Sequence, residues 1–194
     1  MSHRQHRRAG PVSVPCAILT VSDTRRPATD RGGSWLRAAL ARAGHEVVAA
    51  AIVRDEPADV RARLRGFVRA GRARAGRARV ILITGGTGIA ARDRTYEAVA
   101  GLLEKRLDGF GELFRALSYR EIGAAAMLSR AVAGTWRGRL VFVMPGSPAA
   151  VRLAVRRLIL PELAHAVGLL PAPGTDGGRR VARRGTARKG RSGR

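Results

Sequence analysis

The sequence is poor in cysteine and in long apolar runs. Its one cysteine, Cys16, cannot form an internal disulfide, and this predicts a reducing compartment. No apolar run reaches the roughly 18 residues of a membrane-spanning helix, so we expect no membrane partner. The N-terminal sequence MSHRQHRRAGPVSV is basic and lacks the apolar stretch of a signal peptide. Together these absences predict a cytoplasmic protein.

Histidine is also scarce, and this limits the reactions that the chain can catalyse. None of the 4 histidines is paired in the spacing of a His-Glu-x-x-His zinc helix. No Ser-His-Asp grouping is indicated, and a cluster of cysteine ligands for zinc is missing. Hydrolase and zinc-enzyme functions are therefore disfavoured.

Acidic residues are few beside the basic ones, and the formal net charge is +23. Most of the excess lies in residues 1–11, 61–79 and 171–194, which are rich in arginine. Such segments bind nucleic acid without specificity, but they fit GC-rich coding equally well. Aromatic residues make up only 4% of the chain, and no aromatic-rich surface for reading bases is indicated. Nucleic-acid binding is therefore the least favoured hypothesis.

The length and composition predict one globular domain. A chain of 194 residues with 45% hydrophobic content can bury a sizeable core. We assign the domain to residues 14–170. The basic head, residues 1–13, and the basic tail, residues 171–194, have compositions typical of disordered segments.

Apolar runs alternate with helical periodicity along the domain. Short apolar runs predict strands at 16–21, 47–53, 80–84 and 140–144, with Cys16 as a small core residue. Helical spacing predicts helices at 35–43, 57–75, 95–107 and 149–166. The pattern of residues 108–134 alternates between helical and irregular, and it predicts no clean strand. This alternation favours an α/β fold layered around a mainly parallel sheet.

A polar or glycine-rich loop follows each predicted strand. Ligands of parallel α/β sheets bind outside the carboxyl ends of the strands. We therefore expect four loops to converge on one rim of the sheet. These loops contain Ser22 with Asp23, Asp55, residues 85–88 and residues 145–147.

The loop TGGTG, residues 84–88, is the richest in glycine. Gly85, Gly86 and Gly88 permit a close approach of the main chain to a ligand. The loop amides and the hydroxyls of Thr84 and Thr87 could cradle an anion beside the next helix. The spacing matches neither a Walker A loop nor the dinucleotide fingerprint, so a plain tight turn is an equal alternative.

Two carboxylates are expected on the same rim. Asp55 and Asp93 could hold Mg²⁺ together with substrate phosphates. Either could instead cap the start of a helix. Arg92 could steady a phosphate or be solvated.

The loop PGSP after the last predicted strand allows two interpretations. Ser147 as an N-cap and Pro148 at the first helical position give a sufficient structural account. The same geometry would point free amides of Gly146 and its neighbours at the rim, as in an anion site.

Several motifs carry a resemblance to a known family. The segments TGGTGIAARDRTYEAV, GFGELFRALSYREIGAAAMLSRAVAG and VFVMPGSPAAVRLAVRRLILPEL resemble the MoaB/Mog molybdopterin-binding family, and LTVSDTR and VRDEPADV fit its earlier segments. SYREIG, SRAVAG and MPGSP bring the chain closer to the MoaB type. The resemblance implies a three-layer α/β/α sandwich, commonly trimeric, that acts with other proteins of the molybdenum cofactor pathway.

The resemblance also implies roles for individual residues. Mog-type members adenylylate molybdopterin with ATP and Mg²⁺ and release pyrophosphate. Asp55 and Asp93 match the acidic catalytic positions and would hold the Mg²⁺. Molybdopterin and its phosphate would bind Ser22, Asp23, Thr84, Gly85, Gly86, Thr87, Gly88, Glu112, Pro145, Gly146, Ser147 and Pro148. The leading hypothesis is a molybdopterin adenylyltransferase, and a non-catalytic molybdopterin-binding or carrier protein is the alternative.

Overall fold

A six-stranded sheet forms the centre of the protein in the computed structural model, which describes residues 11, 13–69 and 77–171. The strands are β1 (Pro15–Val21), β2 (Glu46–Val53), β3 (Val80–Thr84), β4 (Lys105–Arg106), β5 (Val132–Trp136) and β6 (Arg139–Met144). Their order across the sheet is β2-β1-β3-β6-β5-β4.

Helices connect the strands and cover the sheet. They are α1 (Arg31–Arg42), α2 (Pro57–Arg69), α3 (Thr95–Ala100), α4 (Asp108–Ile122), α5 (Pro148–Ala154) and α6 (Leu160–Gly168). A 3₁₀ helix, Gly123–Leu128, follows α4, and a π-helical segment, Val155–Ile159, joins α5 to α6. The predicted helix at 149–166 is thus confirmed as a continuous helical stretch of three segments.

The sheet is mainly parallel, as the alternation of strands and helices predicted. β2, β1, β3 and β6 run parallel, so their carboxyl ends meet at one rim. β5 and β4 extend the sheet antiparallel. The loops predicted to converge therefore all leave the same edge.

The two antiparallel strands correct the prediction. Residues 108–134 were expected to contain no clean strand, yet β5 begins at Val132. The helix predicted at 95–107 ends at Ala100, and Lys105–Arg106 is a strand. The segment AVAG gives a weak strand pattern because Gly134 has no side chain. The sheet requires glycine at this position, since a Cβ there would lie 2.3 Å from the Lys105 carbonyl oxygen.

The turn between β5 and β6 is the signal that sequence reasoning missed. Trp136 pairs with Arg139 across a two-residue loop. Both loop residues have positive φ, 49° at Arg137 and 69° at Gly138. This is the geometry of a tight hairpin whose second position favours glycine, so TWRGRL identifies a hairpin in hindsight.

The core has two halves, one on each face of the sheet. Leu82 of β3 packs with α1, α5 and α6 through residues such as Leu36, Val151 and Leu163. Its neighbours Ile81 and Ile83 point to the other face and pack with α2 and α3, in a half that includes Leu64, Phe67 and Val99. Successive strand residues alternate between faces, so an unbroken apolar strand is covered on both sides. The three-layer α/β/α arrangement is confirmed.

Cys16 lies in this core as a small apolar residue. Its side chain is fully buried, and burial raises the pKa of the thiol to about 12. The protonated thiol is a poor nucleophile, so the expected core role is confirmed.

Two further sequence predictions concern the basic segments and the absence of a membrane-spanning helix. Residues 70–76 of the arginine-rich segment and almost all of the predicted head and tail lie outside the described residues. Across the described part of the chain, the helices are too short or too polar to cross a bilayer.

Asp30 fixes helix α1 to the sheet. Its buried carboxylate accepts hydrogen bonds from the Gly33 amide at 2.9 Å and from the Thr20 hydroxyl of β1 at 2.6 Å. Replacing Asp30 with Ala removes the cap and leaves the buried Thr20 hydroxyl without its acceptor. We expect Asp30→Ala to lower the free energy of unfolding by about 1–3 kcal/mol in urea titrations. Asp59→Ala, at an exposed position in the first turn of α2, should cost less than about 0.5 kcal/mol, and equal losses would contradict the assignment.

Candidate functional site

The loops after β1, β2, β3 and β6 enclose a hollow of about 380 Å³ at the carboxyl rim of the sheet. Arg25 and Arg92 line it, together with the predicted site residues Ser22, Asp23, Asp55, Gly85, Gly86, Asp93, Gly146 and Ser147. The structure thus brings together residues that are far apart in the sequence. This hollow, the first hollow, is polar and carries charges of both signs.

A second hollow, of about 320 Å³, lies beside the first. Thr87, Gly88 and Pro145 line one wall. The other wall comes from α4 and the 3₁₀ helix and is largely apolar, with Phe114, Ile122, Ala126, Leu128, Ser118 and Ser129. Gly86, Asp93, Gly146 and Ser147 border both hollows, so two ligands bound side by side would meet there.

The glycines of the loop after β3 are required by close contacts within the protein. Gly85 has φ +102°, and a Cβ there would lie 2.2 Å from the Val21 carbonyl oxygen. Gly86 has φ +62°, and its Cβ would lie 2.2 Å from both Asp55 Oδ2 and Thr95 Oγ1. Only glycine lets this loop lie against the end of β1 and against Asp55.

Asp55 lies in the loop after β2, and its buried side chain contacts the start of α3. Its Oδ1 accepts hydrogen bonds from the Arg94 amide at 3.3 Å and from the Thr95 hydroxyl at 3.1 Å. It therefore supports the start of α3, a helix distant in sequence. Burial raises the pKa of Asp55, the bonds from Thr95 and Arg94 oppose this rise, and the charges of Asp93 and Asp23 add to it.

Asp93 stabilises its own loop. Its Oδ2 accepts a hydrogen bond from the Ala90 amide at 3.1 Å, and α3 has Arg94 at its N-cap without a side-chain cap bond. The alternative that Asp93 caps the helix is therefore wrong. Within the described residues Asp93 Oδ1 has no hydrogen-bond partner, so this oxygen can face a ligand.

The loops after β1 and β6 are tied together by Arg25. Its Nη2 donates to the Gly146 carbonyl oxygen at 2.8 Å. The Ser22 hydroxyl accepts from the Arg25 amide at 3.1 Å, and Asp23 accepts from the Asp55 amide at 3.2 Å. These polar side chains therefore define the shape of the first hollow. Arg25 was not selected from the sequence, although it stands in the quoted motif LTVSDTR.

Ser147 and Pro148 have the predicted structural roles. Ser147 accepts a hydrogen bond from the Ala150 amide at 3.2 Å and is the N-cap of α5, with Pro148 in the first turn. Ser147 still lines both hollows. A cap and an anion site can therefore coexist at this turn.

Three predicted site residues lie apart from the two hollows. Glu112 lines a third hollow of about 410 Å³, with Arg106 and Arg115. Among the described residues, Ser129 alone borders both the second and the third hollow. The Thr84 side chain is fully buried at the end of β3, and Pro148 follows Ser147 in the first turn of α5.

Arg130 is a further residue that sequence reasoning did not select. It lies between the 3₁₀ helix and β5, and its guanidinium group donates hydrogen bonds to carbonyl oxygens of the loop after β3. The motif SRAVAG contains it, but the motif alone did not indicate a contact with a loop about 40 residues earlier.

Comparison with known proteins assigns the family. Residues 17–165 match the model described as a probable molybdopterin binding domain. The molybdenum cofactor biosynthesis protein B of Halalkalibacterium halodurans is 51% identical over 166 residues, which cover 85% of this chain and 95% of that protein. The chain belongs to the molybdopterin-binding domain family of molybdenum cofactor biosynthesis.

Solved structures of the family agree with the fold. A crystal structure of molybdenum cofactor biosynthesis protein B has a TM-score of 0.74 and 47% identity, and the match covers 81% of this chain and 95% of that one. The tungsten cofactor synthesizing protein MoaB from Pyrococcus furiosus has a TM-score of 0.68 and 35% identity, over 81% and 96% of the two chains. A MogA structure at 29% identity has the same TM-score, over 79% and 97% of the chains.

The raised pKa of Asp55 predicts a pH-dependent contribution to stability. Because the folded state favours the protonated carboxyl, the contribution is largest below the ordinary pKa of 3.8 and is lost as the pH rises through the raised value. The Asp55→Asn variant keeps an acceptor oxygen but does not titrate. Over that interval we therefore expect its free energy of unfolding to rise relative to that of the wild type. Urea titrations at a series of pH values measure this difference. A difference that stays constant or falls across the interval would contradict it.

Proposed function

We propose that this protein adenylylates molybdopterin, using ATP and Mg²⁺ and releasing pyrophosphate. The observation that carries the proposal is the pair of adjoining hollows, which share Gly86, Asp93, Gly146 and Ser147. A reaction between two bound molecules requires two subsites that meet at the reacting atoms. The family assignment supplies the pterin substrate, since the matched model describes molybdopterin binding.

The two hollows differ in a way that suits the two substrates. The second hollow has an apolar wall with Phe114 and Leu128 and two hydroxyls, Ser118 and Ser129. Such a wall suits a flat heterocycle that also makes a few polar contacts. The first hollow is bordered by Arg25 and Arg92 and by backbone turns, which suit a triphosphate.

The carboxylates fit a magnesium ion that is shared with a phosphate. Asp55 and Asp93 border one hollow, and each has an oxygen that makes no hydrogen bond among the described residues. Across those residues no group of three or more His, Cys, Asp or Glu could hold a metal by itself. Mg²⁺ commonly uses one or two carboxylates and completes its shell with substrate phosphates and water, and when bound it would offset the charge of the triphosphate.

The proposed chemistry needs no strong base from the protein. An oxygen of the molybdopterin phosphate is already anionic and attacks the α-phosphorus of ATP. A new P–O bond forms, the bond from the α-phosphorus to the oxygen bridging to the β-phosphate breaks, and pyrophosphate leaves with that electron pair. The residues of the rim act by holding the two phosphates in line and by excluding water between them.

We include in the proposal a homo-oligomer, a trimer by family resemblance, that acts with other proteins of the pathway in the cytoplasm. Its support is a set of exposed apolar side chains on α4 and the 3₁₀ helix, namely Leu113, Tyr119, Ile122, Met127 and Leu128. Apolar side chains grouped at a surface are typical of contacts with another protein.

A second candidate function is non-catalytic binding of molybdopterin. The specific observation in its favour is that both carboxylates have structural partners, Asp55 at the start of α3 and Asp93 within its own loop. Their presence is therefore explained even without catalysis. The two candidates differ in whether ATP is consumed.

The test is pyrophosphate release from purified protein with ATP, Mg²⁺ and molybdopterin. We expect release by the wild type and a loss of at least about 100-fold in Asp55→Asn and Asp93→Asn, because charge compensation at the triphosphate is lost. Asp59→Asn, exposed on α2, should retain the wild-type rate.

Two results would contradict the enzymatic proposal. One is pyrophosphate release by the wild type that does not exceed that of the two aspartate variants. The other is tight molybdopterin binding with no consumption of ATP, which would establish the carrier function instead.

A further inference from the structure

Arg130 donates hydrogen bonds to three carbonyl oxygens of the loop after β3. Its Nη2 donates to the carbonyl oxygens of Gly88 at 2.5 Å and Asp93 at 2.8 Å, and its Nε donates to that of Thr87 at 3.2 Å. One planar group thus holds both ends of the segment that borders the two hollows.

The charge of Arg130 is compensated by a carboxylate that borders neither of the two hollows. Its Nη1 forms an ion pair with the carboxylate of Glu97 on α3. The guanidinium carbon also lies 5.1 Å from the centre of the Tyr96 ring. Arg130 borders neither of the two hollows, so the role assigned to it cannot be direct contact with a ligand there.

Peptide planarity carries the effect of Arg130 through the loop. In a trans peptide the carbonyl and the following N–H point in opposite directions, and the described chain has no cis peptide. The Asp93 carbonyl points to Arg130, and the N–H of the same peptide group, at Arg94, donates to Asp55. Arg130 and Asp55 therefore hold opposite sides of one peptide group.

The same geometry orients the amide of Gly88. The Thr87 carbonyl points to Arg130, so the Gly88 N–H points away from it. Gly88 borders the second hollow, and in the described part of the chain its N–H has no acceptor. Such an amide is available to an anionic group of a ligand.

We propose that Arg130 is a positioning residue, which holds the loop of residues 87–94 in the shape that presents the Gly88 amide to the phosphate groups and keeps the Asp55 carboxylate in place at the rim. The proposal rests on the proposed function for the identity of those phosphates. The geometry of the loop itself can be measured without substrate.

Lysine cannot replace arginine in this role. Its ammonium group keeps the charge and the pairing with Glu97, but it is a point donor and cannot hold three carbonyls in one plane. Arg130→Lys therefore separates the positioning role from charge. Arg63→Lys, at an exposed position on α2, is the matched control.

The experiment compares wild type, Arg130→Lys, Arg130→Ala and Arg63→Lys. In Arg130→Lys we expect the NMR amide signals of residues 87–94 to shift or broaden in the free protein. We expect kcat for pyrophosphate release to fall by about 10- to 100-fold, with KM for ATP changed by less than about 3-fold. Millimolar guanidinium should restore part of the activity of Arg130→Ala, because it can fill the same donor positions. Thermal unfolding shows whether each variant is folded.

The outcomes separate the two proposals. Unchanged loop amides and unchanged kcat in Arg130→Lys overturn the role of Arg130. A wild type that releases no pyrophosphate, with loop amides that still shift in Arg130→Lys and recover in Arg130→Ala with guanidinium, overturns the proposed function and supports the positioning role. If Arg130→Ala does not fold, the amide signals of Arg130→Lys decide the question. A uniform change of the amide signals across the whole protein in Arg130→Lys overturns the local role.

Discussion

The contact between Gly86 and Asp55 is the constraint on which the site depends. A side chain at position 86 would overlap the Asp55 carboxylate and the Thr95 hydroxyl. Without one, the loop after β3 lies against the end of β2, and Asp55 can accept hydrogen bonds from the start of α3. Both hollows are bordered by Gly86, so their shared wall exists because of this contact.

Polar residues at this rim have structural partners and still border the hollows. Asp55 supports α3, Asp93 closes its own loop, Ser147 caps α5, and Asp23 holds the Asp55 amide. Each bond restricts a loop that would otherwise be free to move, and the cost of ordering it is met during folding. A rim organised in this way needs little rearrangement to receive an anion. The structural and the functional interpretations of these residues are therefore compatible, except at Asp93, where the helix-cap interpretation is wrong.

The proposed function and the proposed role of Arg130 concern opposite sides of one loop. On the side of the hollows, the loop offers backbone amides and carboxylate oxygens. On the other side, its carbonyls are held by a guanidinium group whose charge is balanced by Glu97. Because a peptide group is planar, fixing the carbonyl side also fixes the amide side. The proposed influence of Arg130, a residue outside the hollows, on binding within them depends on this planarity.

Much of the fold followed from local pattern, because the parallel strands are mostly apolar runs that are followed by a polar residue, glycine or proline. The runs at 16–21 and 80–84 and the loop at 84–88 needed only their own residues to be identified, and so did the Ser147-Pro148 helix start. The strand Val132–Trp136 was missed because Gly134 is required by its contact with Lys105, which the local sequence does not show. Arg25 and Arg130 were missed for the same reason, since their partners, Gly146 and residues 87–93, are distant in the chain. The sequence by itself determined the four parallel strands, the loops that hold glycine and carboxylate, and the family. Only the tertiary structure decided which oxygen each donor reaches and that Glu112 borders a different hollow, because those distances depend on how the layers pack.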